Sequence, residues 1–140
     1  KQEEFLVKDS FGIACEFLKY SLGDHKIKIG IKSGSRLKIK CDKNYITDIF
    51  ILMIALIIEL KKWKIDELVD IKATFKKEQA SKLILQFRIN LLYIDENNFF
   101  AIDRYTYLLN KTLDNGYGGH FFIKKKNSHL LLNSEVYIEY

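Results

Sequence analysis

The sequence holds no proline, two cysteines, one methionine and one tryptophan in 140 residues, and its seven glycines are scattered. With no proline and no Gly/Ser-rich stretch, nothing reads as a linker, and residues 1–140 are taken as a single domain. Cys15 and Cys41 are too few for the framework of a small disulfide scaffold and lack metal-site spacing. They read as buried thiols in a reducing cytosol, with one bridge between them as the alternative.

Motifs for chemistry are missing as well. Gly116 to Gly119 reads Gly-Tyr-Gly-Gly, without the lysine and following helix of a phosphate-binding loop. His25, His120 and His129 lie far apart and none has a ligand at metal spacing, although a terminal hairpin could join His120 to His129. Asp95-Glu96 reads as a solvated turn and Asp103-Arg104 as an exposed pair, so no two carboxylates can be assigned one site. A cysteine–histidine nucleophile pair would need a catalytic context that neither Cys15 nor Cys41 has. These absences point to a non-enzymatic domain with no cofactor and no metal. A secretory signal is not visible either, because Phe5-Leu6-Val7 is far shorter than an apolar h-region. The expected location is cytoplasmic, with a membrane-peripheral position as the variant. Heavy use of Lys, Ile and Asn suggests an AT-rich, bacterial genome.

What the chain does have is apolar material. Hydrophobic residues make up 48% and aromatic residues 14%, which excludes a disordered chain. Period-two alternation dominates the first third. Ile27, Ile29 and Ile31 face one way and Lys26, Lys28 and Lys32 the other; after Ser33-Gly34, Leu37 and Ile39 alternate with Arg36, Lys38 and Lys40. Such alternation predicts a hairpin with one buried face. Phe5 to Val7 and Ile13 to Tyr20 read as earlier strands flanking a turn at Asp9-Ser10-Phe11-Gly12.

A different signal follows. Ile49 to Ile58 is an unbroken run of ten apolar residues. Its length favours a helix over a strand, spanning residues 45–62 and about 27 Å long at ~1.5 Å per residue. Asn44 is placed to cap it, with Asp48 in its first turn and Lys61, Lys62 and Lys64 at its far end. Asp48 and Glu59 bound the run, which is short for a membrane span and suits a buried core helix.

Beyond Trp63, strands are expected at Leu68 to Phe75, Lys82 to Ile94, Phe99 to Leu109, Gly119 to Lys126 and His129 to Tyr140. A weak internal echo relates Phe5-Leu6-Val7-Lys8-Asp9 to Leu92-Tyr93-Ile94-Asp95. The expected fold class is α+β, with mostly antiparallel strands forming a barrel-like sheet around one central hydrophobic helix.

Strands wrapped around one very hydrophobic helix resemble the tubby C-terminal-like superfamily, which includes the LURP-one-related proteins and the phospholipid scramblases. The segment Tyr45 to Glu59 looks like their barrel-filling helix, and Val7 to Lys40 looks like their strand–turn–strand units. The resemblance covers roughly residues 5–62. It departs from the superfamily in that a long segment follows the helix, which in those proteins closes the domain. The resemblance implies contact with anionic phospholipid headgroups.

Charge adds the one functional pattern. Between Lys26 and Lys43 seven cations face one acid, Asp42, a net +6 that exceeds the +5 of the whole chain. Lys26, Lys28, Lys32, Arg36, Lys38 and Lys40 are the candidate anion- or lipid-binding residues, and Lys124-Lys125-Lys126 forms a second cluster. A purely solvated, aggregation-resisting face is the competing reading. The expected partners are an anionic membrane surface or an acidic protein. Nucleic acid is disfavoured, because no aromatic is interleaved for base stacking between Lys26 and Lys40. The alternative function is a protein–protein interaction module of the inhibitor or immunity type. Tyr105, Tyr107, Tyr117, Tyr137 and Tyr140 are expected at the core margin.

Overall fold

A short strand, β1 (Glu3–Leu6), leads straight into a helix, α1 (Val7–Phe17), in the computed structural model, which describes residues 2–62, 67–79, 81–90 and 96–138. Val7, Ser10, Phe11 and Ala14 are the buried positions of α1. Their spacing of three, four and seven is helical, so the turn expected at Asp9 to Gly12 is helix instead. The strand expected from Ile13 to Tyr20 is likewise the end of α1 and the start of a second helix, α2 (Lys19–Asp24). Small residues at positions 10 and 14 let α1 lie close against its neighbour.

The chain then forms β2 (Ile27–Ser33), β3 (Lys38–Cys41) and the long α3 (Lys43–Lys61). The apolar run is helical, as expected. Its cap is Asp42 and not Asn44: the Asp42 carboxylate accepts from the Asn44 backbone N–H at 3.0 Å. After α3 come β4 (Val69–Glu78), β5 (Lys82–Ile89), a 3-10 turn at Glu96–Asn98, α4 (Phe99–Asn115), β6 (Gly119–Lys126) and β7 (His129–Tyr137). The strand expected from Phe99 to Leu109 is therefore also a helix. Its phenylalanines and tyrosines suit a strand by propensity, yet Leu109 and Leu113, four apart, are the residues it buries beneath a margin of Ile102 and Tyr105. The echo segment at residues 92–95 lies outside the described residues.

The strands make two sheets. A small antiparallel ribbon pairs β1 with β3, and a five-stranded sheet runs in the order β2-β4-β5-β7-β6. The expected hairpin of β2 with β3 does not form. Ile27, Ile29 and Ile31 align with Val69, Ile71 and Ala73 of β4 in parallel, while β3 aligns Cys41 with Glu3 of β1. Alternation marks each strand as one-faced but does not say which strand it joins. A parallel pair needs a long crossover, and β3 with α3 provides it.

This is an open mixed sheet in a two-layer α+β fold, not a barrel around a helix. Its helical layer lies on one face, where Phe11 of α1, Phe50 of α3, Phe75 of β4 and Phe87 of β5 form one cluster with ring centroids 5.3–5.9 Å apart. Met53 of α3 reaches β7, where the Ser134 hydroxyl lies 3.3 Å from its sulfur. α3 packs between α1 and α4, and strands do not enclose it: Ile51, Leu52 and Ala55 are only half-buried. No described helix is long and apolar enough to cross a membrane.

Candidate functional site

The cysteines are poor nucleophiles. Burial pushes the Cys15 thiol up to about 11, and burial with the Asp42 carboxylate pushes Cys41 up to about 12. A thiol held protonated in this way is inert at neutral pH. Both cysteines are free.

A tyrosine seam joins α4 and the entry to β6 onto the start of α3. Tyr45 and Tyr117 meet edge to face at 5.0 Å. The Tyr45 hydroxyl donates to the Leu113 carbonyl at 3.4 Å and accepts from the Tyr117 N–H at 3.4 Å, while Tyr117 Oη accepts from the Asp42 N–H at 2.9 Å. Burial raises the Tyr45 phenol. The glycines here serve this packing. A side chain on Gly116 would strike the Tyr45 ring, and one on Gly119 (φ +127°) would strike the Glu135 carbonyl. Tyr117 and Tyr105 do sit at the core margin, whereas Tyr107 and Tyr137 are exposed; Tyr140 lies outside the described residues.

The six candidate lysines and arginine do not share one face. Lys28 and Lys32 lie on β2 of the large sheet, whereas Lys38 and Lys40 lie on the β1–β3 ribbon, with Lys38 3.9 Å from Glu4. Lys26, with φ +55°, precedes β2, and Arg36 lies in the β2–β3 connection. His120 and His129 stand at opposite ends of the β6–β7 hairpin, in register with Glu135 and Lys126.

What the fold does gather is a polar hollow on the face of the large sheet away from the helices. It holds about 210 Å³ and is lined by Lys32, Thr74, Gln86, Arg88, Lys126 and His129, among others. Lys32 alone was a candidate from sequence; Lys126 stood in the second lysine cluster, and Arg88 and His129 come from strands whose neighbours the sequence does not reveal. A second hollow adjoins it, sharing Lys32, Arg88 and His129 and adding Asp70 and Lys72.

No known protein family matches the sequence, and no curated protein does. The fold has clear relatives among solved structures, and these define its class. The catalytic domain of the histidine kinase ThkA, in a nucleotide-free form, superposes with a TM-score of 0.75 at 15% identity, over 98% of this chain and 95% of that one. The Acinetobacter baumannii histidine kinase AdeS gives 0.71 at 14% identity, covering 100% of this chain and 68% of that one. ThkA in complex with the response regulator protein TrrA gives 0.72 at 14% identity, over 99% of this chain and 42% of that one. The fold is that of histidine-kinase catalytic domains.

The likeness overturns the tubby-like, barrel-forming expectation; one apolar helix beside strands is compatible with both folds, and strand pairing separates them. It also overturns the reading built on that resemblance, a non-enzymatic phospholipid-binding domain, since the proteins sharing this fold are kinase catalytic domains. Neither a membrane surface nor an inhibitor- or immunity-type role finds support in these relatives.

A kinase of any fold handles a nucleotide with magnesium, which takes oxygen ligands. Among the described residues no three His, Cys, Asp or Glu side chains converge to hold a metal. Within the apolar run of α3 the half-buried positions are Ile51, Leu52 and Ala55, flanked by Asp48 and Glu59. The described side chains thus form no three-ligand metal centre of their own, and no chemical step is derived through a metal.

Proposed function

We propose that this chain is the kinase-type domain of a histidine-kinase signalling protein, taking up a nucleotide and working with a protein partner of the response-regulator kind. The observation that supports this is the fold, matched over nearly the whole of this chain and of the ThkA catalytic domain. A response regulator is the partner in a solved ThkA complex, and the same type of partner is proposed here.

Calorimetric titration of the folded domain with ATP and ADP, with magnesium or with EDTA, tests the reading. Saturable ATP binding is expected. Because magnesium at such sites is carried largely by the nucleotide's own phosphates, EDTA should weaken ATP binding more than ADP binding. A folded domain that takes up neither nucleotide at millimolar concentration overturns the proposal.

A further inference from the structure

We propose that the hollow on the open sheet face is a binding site for a small phosphate-bearing anion. The inference does not rest on the kinase reading, because this face lies on the other side of the sheet from the helical layer.

The site is assembled from all five strands of the large sheet. A register shift between Ile31 and Ser33 of β2 sets Lys32 as an extra residue beside Thr74 of β4. On β5, Arg88 stands level with Lys72 on one side and Leu131 on the other, and Gln86 with Thr74 and Asn133. The tight β6–β7 turn, with Asn127 at φ +55°, sets Lys126 opposite His129. Arg88 Nη2 lies 3.3 Å from His129 Nδ1. A guanidinium can only donate, so Nδ1 accepts and the imidazole keeps its proton on Nε2, a further donor.

Charge balance identifies the occupant. The acids on this face are each ion-paired: Asp70 through Oδ2 with Lys72 at 3.5 Å, its buried Oδ1 having no hydrogen-bond partner, Glu78 with Lys76 at 3.1 Å, and Glu135 with Lys82 at 3.2 Å. The Glu135 hydrogen bond also raises the Lys82 ammonium. Lys32, Arg88 and Lys126 have no acidic partner among the described residues, and no carboxylate lines the first hollow. Three uncompensated cations with hydroxyl and amide donors form a cradle for a multiply charged oxyanion, and arginine can grip two phosphate oxygens at once. The limited volume suits a phosphate or pyrophosphate group better than an extended acidic protein surface.

Pyrophosphate titrated into the domain at low ionic strength is the probe, read by calorimetry. Saturable one-to-one binding is expected, weakening as salt is added. Arg88→Gln and Lys126→Gln should each weaken it about tenfold, the loss of one charge-assisted contact. Lys38→Gln and Lys40→Gln remove the same charge from the ribbon and should leave binding within about twofold, the effect of a remote screened charge. All four residues are exposed, so the variants should keep their folded circular dichroism spectra. Absence of saturable binding, equal weakening by the ribbon variants, or binding of an acidic peptide without pyrophosphate would each overturn the proposal.

Discussion

Phe50→Ala removes the ring at the centre of the aromatic cluster, and its cost can be worked out from the packing. Phe50 is fully buried, with ring centroids 5.4 Å from Phe11, 5.3 Å from Phe75 and 5.9 Å from Phe87. Deleting a buried phenylalanine costs about 3–5 kcal/mol in transfer and cavity terms. Ring contacts of this kind are worth about 0.5–1.5 kcal/mol each beyond their buried area. Three such contacts place the loss at the upper end. Relaxation offers little relief, because α1, α3 and two strands meet at the gap and would have to close on it together. A domain of this kind holds roughly 5–15 kcal/mol in all, so the variant should be folded but marginal. Phe50→Leu keeps an apolar side chain and forfeits mainly the three ring contacts, about 1.5–4.5 kcal/mol at about 0.5–1.5 kcal/mol each. Urea unfolding followed by far-ultraviolet circular dichroism measures both. At ~2 kcal/mol per molar urea, a loss of 4 kcal/mol lowers the midpoint by about 2 M. An alanine variant whose midpoint moves by less than about 0.5 M, at unchanged slope, would refute the view that this cluster joins the two layers.

Three further outcomes follow from single sites. Gly119→Ala should destabilise by at least about 2 kcal/mol, because φ +127° and the Glu135 carbonyl leave no room for a Cβ; a thermal scan showing no loss would count against the turn geometry. Tyr117→Phe removes the acceptor of the Asp42 N–H and should cost about 1 kcal/mol, read as a small drop in melting temperature. Both thiols titrate higher when folded, from 9.0 to about 11 for Cys15 and about 12 for Cys41. The unfolded chain therefore releases these protons first, so stability should hold below pH 9 and fall between there and about 12. The double variant Cys15→Ala and Cys41→Ala should show a shallower decline, and an unchanged one would rule out the thiols as its source.

The local pattern determined a good deal. The run from Ile49 to Ile58 required a buried helix whatever surrounded it, and α3 is that helix, with most of these residues fully buried. Alternation placed β2 and β3 within a few residues and assigned their inward sides, and strands were also expected where β4, β5, β6 and β7 lie. It could not choose partners, because β2 presents the same isoleucines to the core beside β3 or beside β4. Only the closed tertiary structure, with α3 as crossover, made the pair parallel. α1 and α4 were obscured by local cues of the opposite sign. Asp-Ser-Phe-Gly imitates a turn, and the aromatic start of α4 imitates a strand, while their buried positions at helical spacing matter only once a partner surface exists. The site divides in the same way. A lysine excess near β2 is plain in the sequence, but the hollow joins Lys32 to Arg88, Lys126 and His129, which lie 56 to 97 residues further along the chain. Side chains so separated converge only through sheet order, and sheet order is a property of the whole fold.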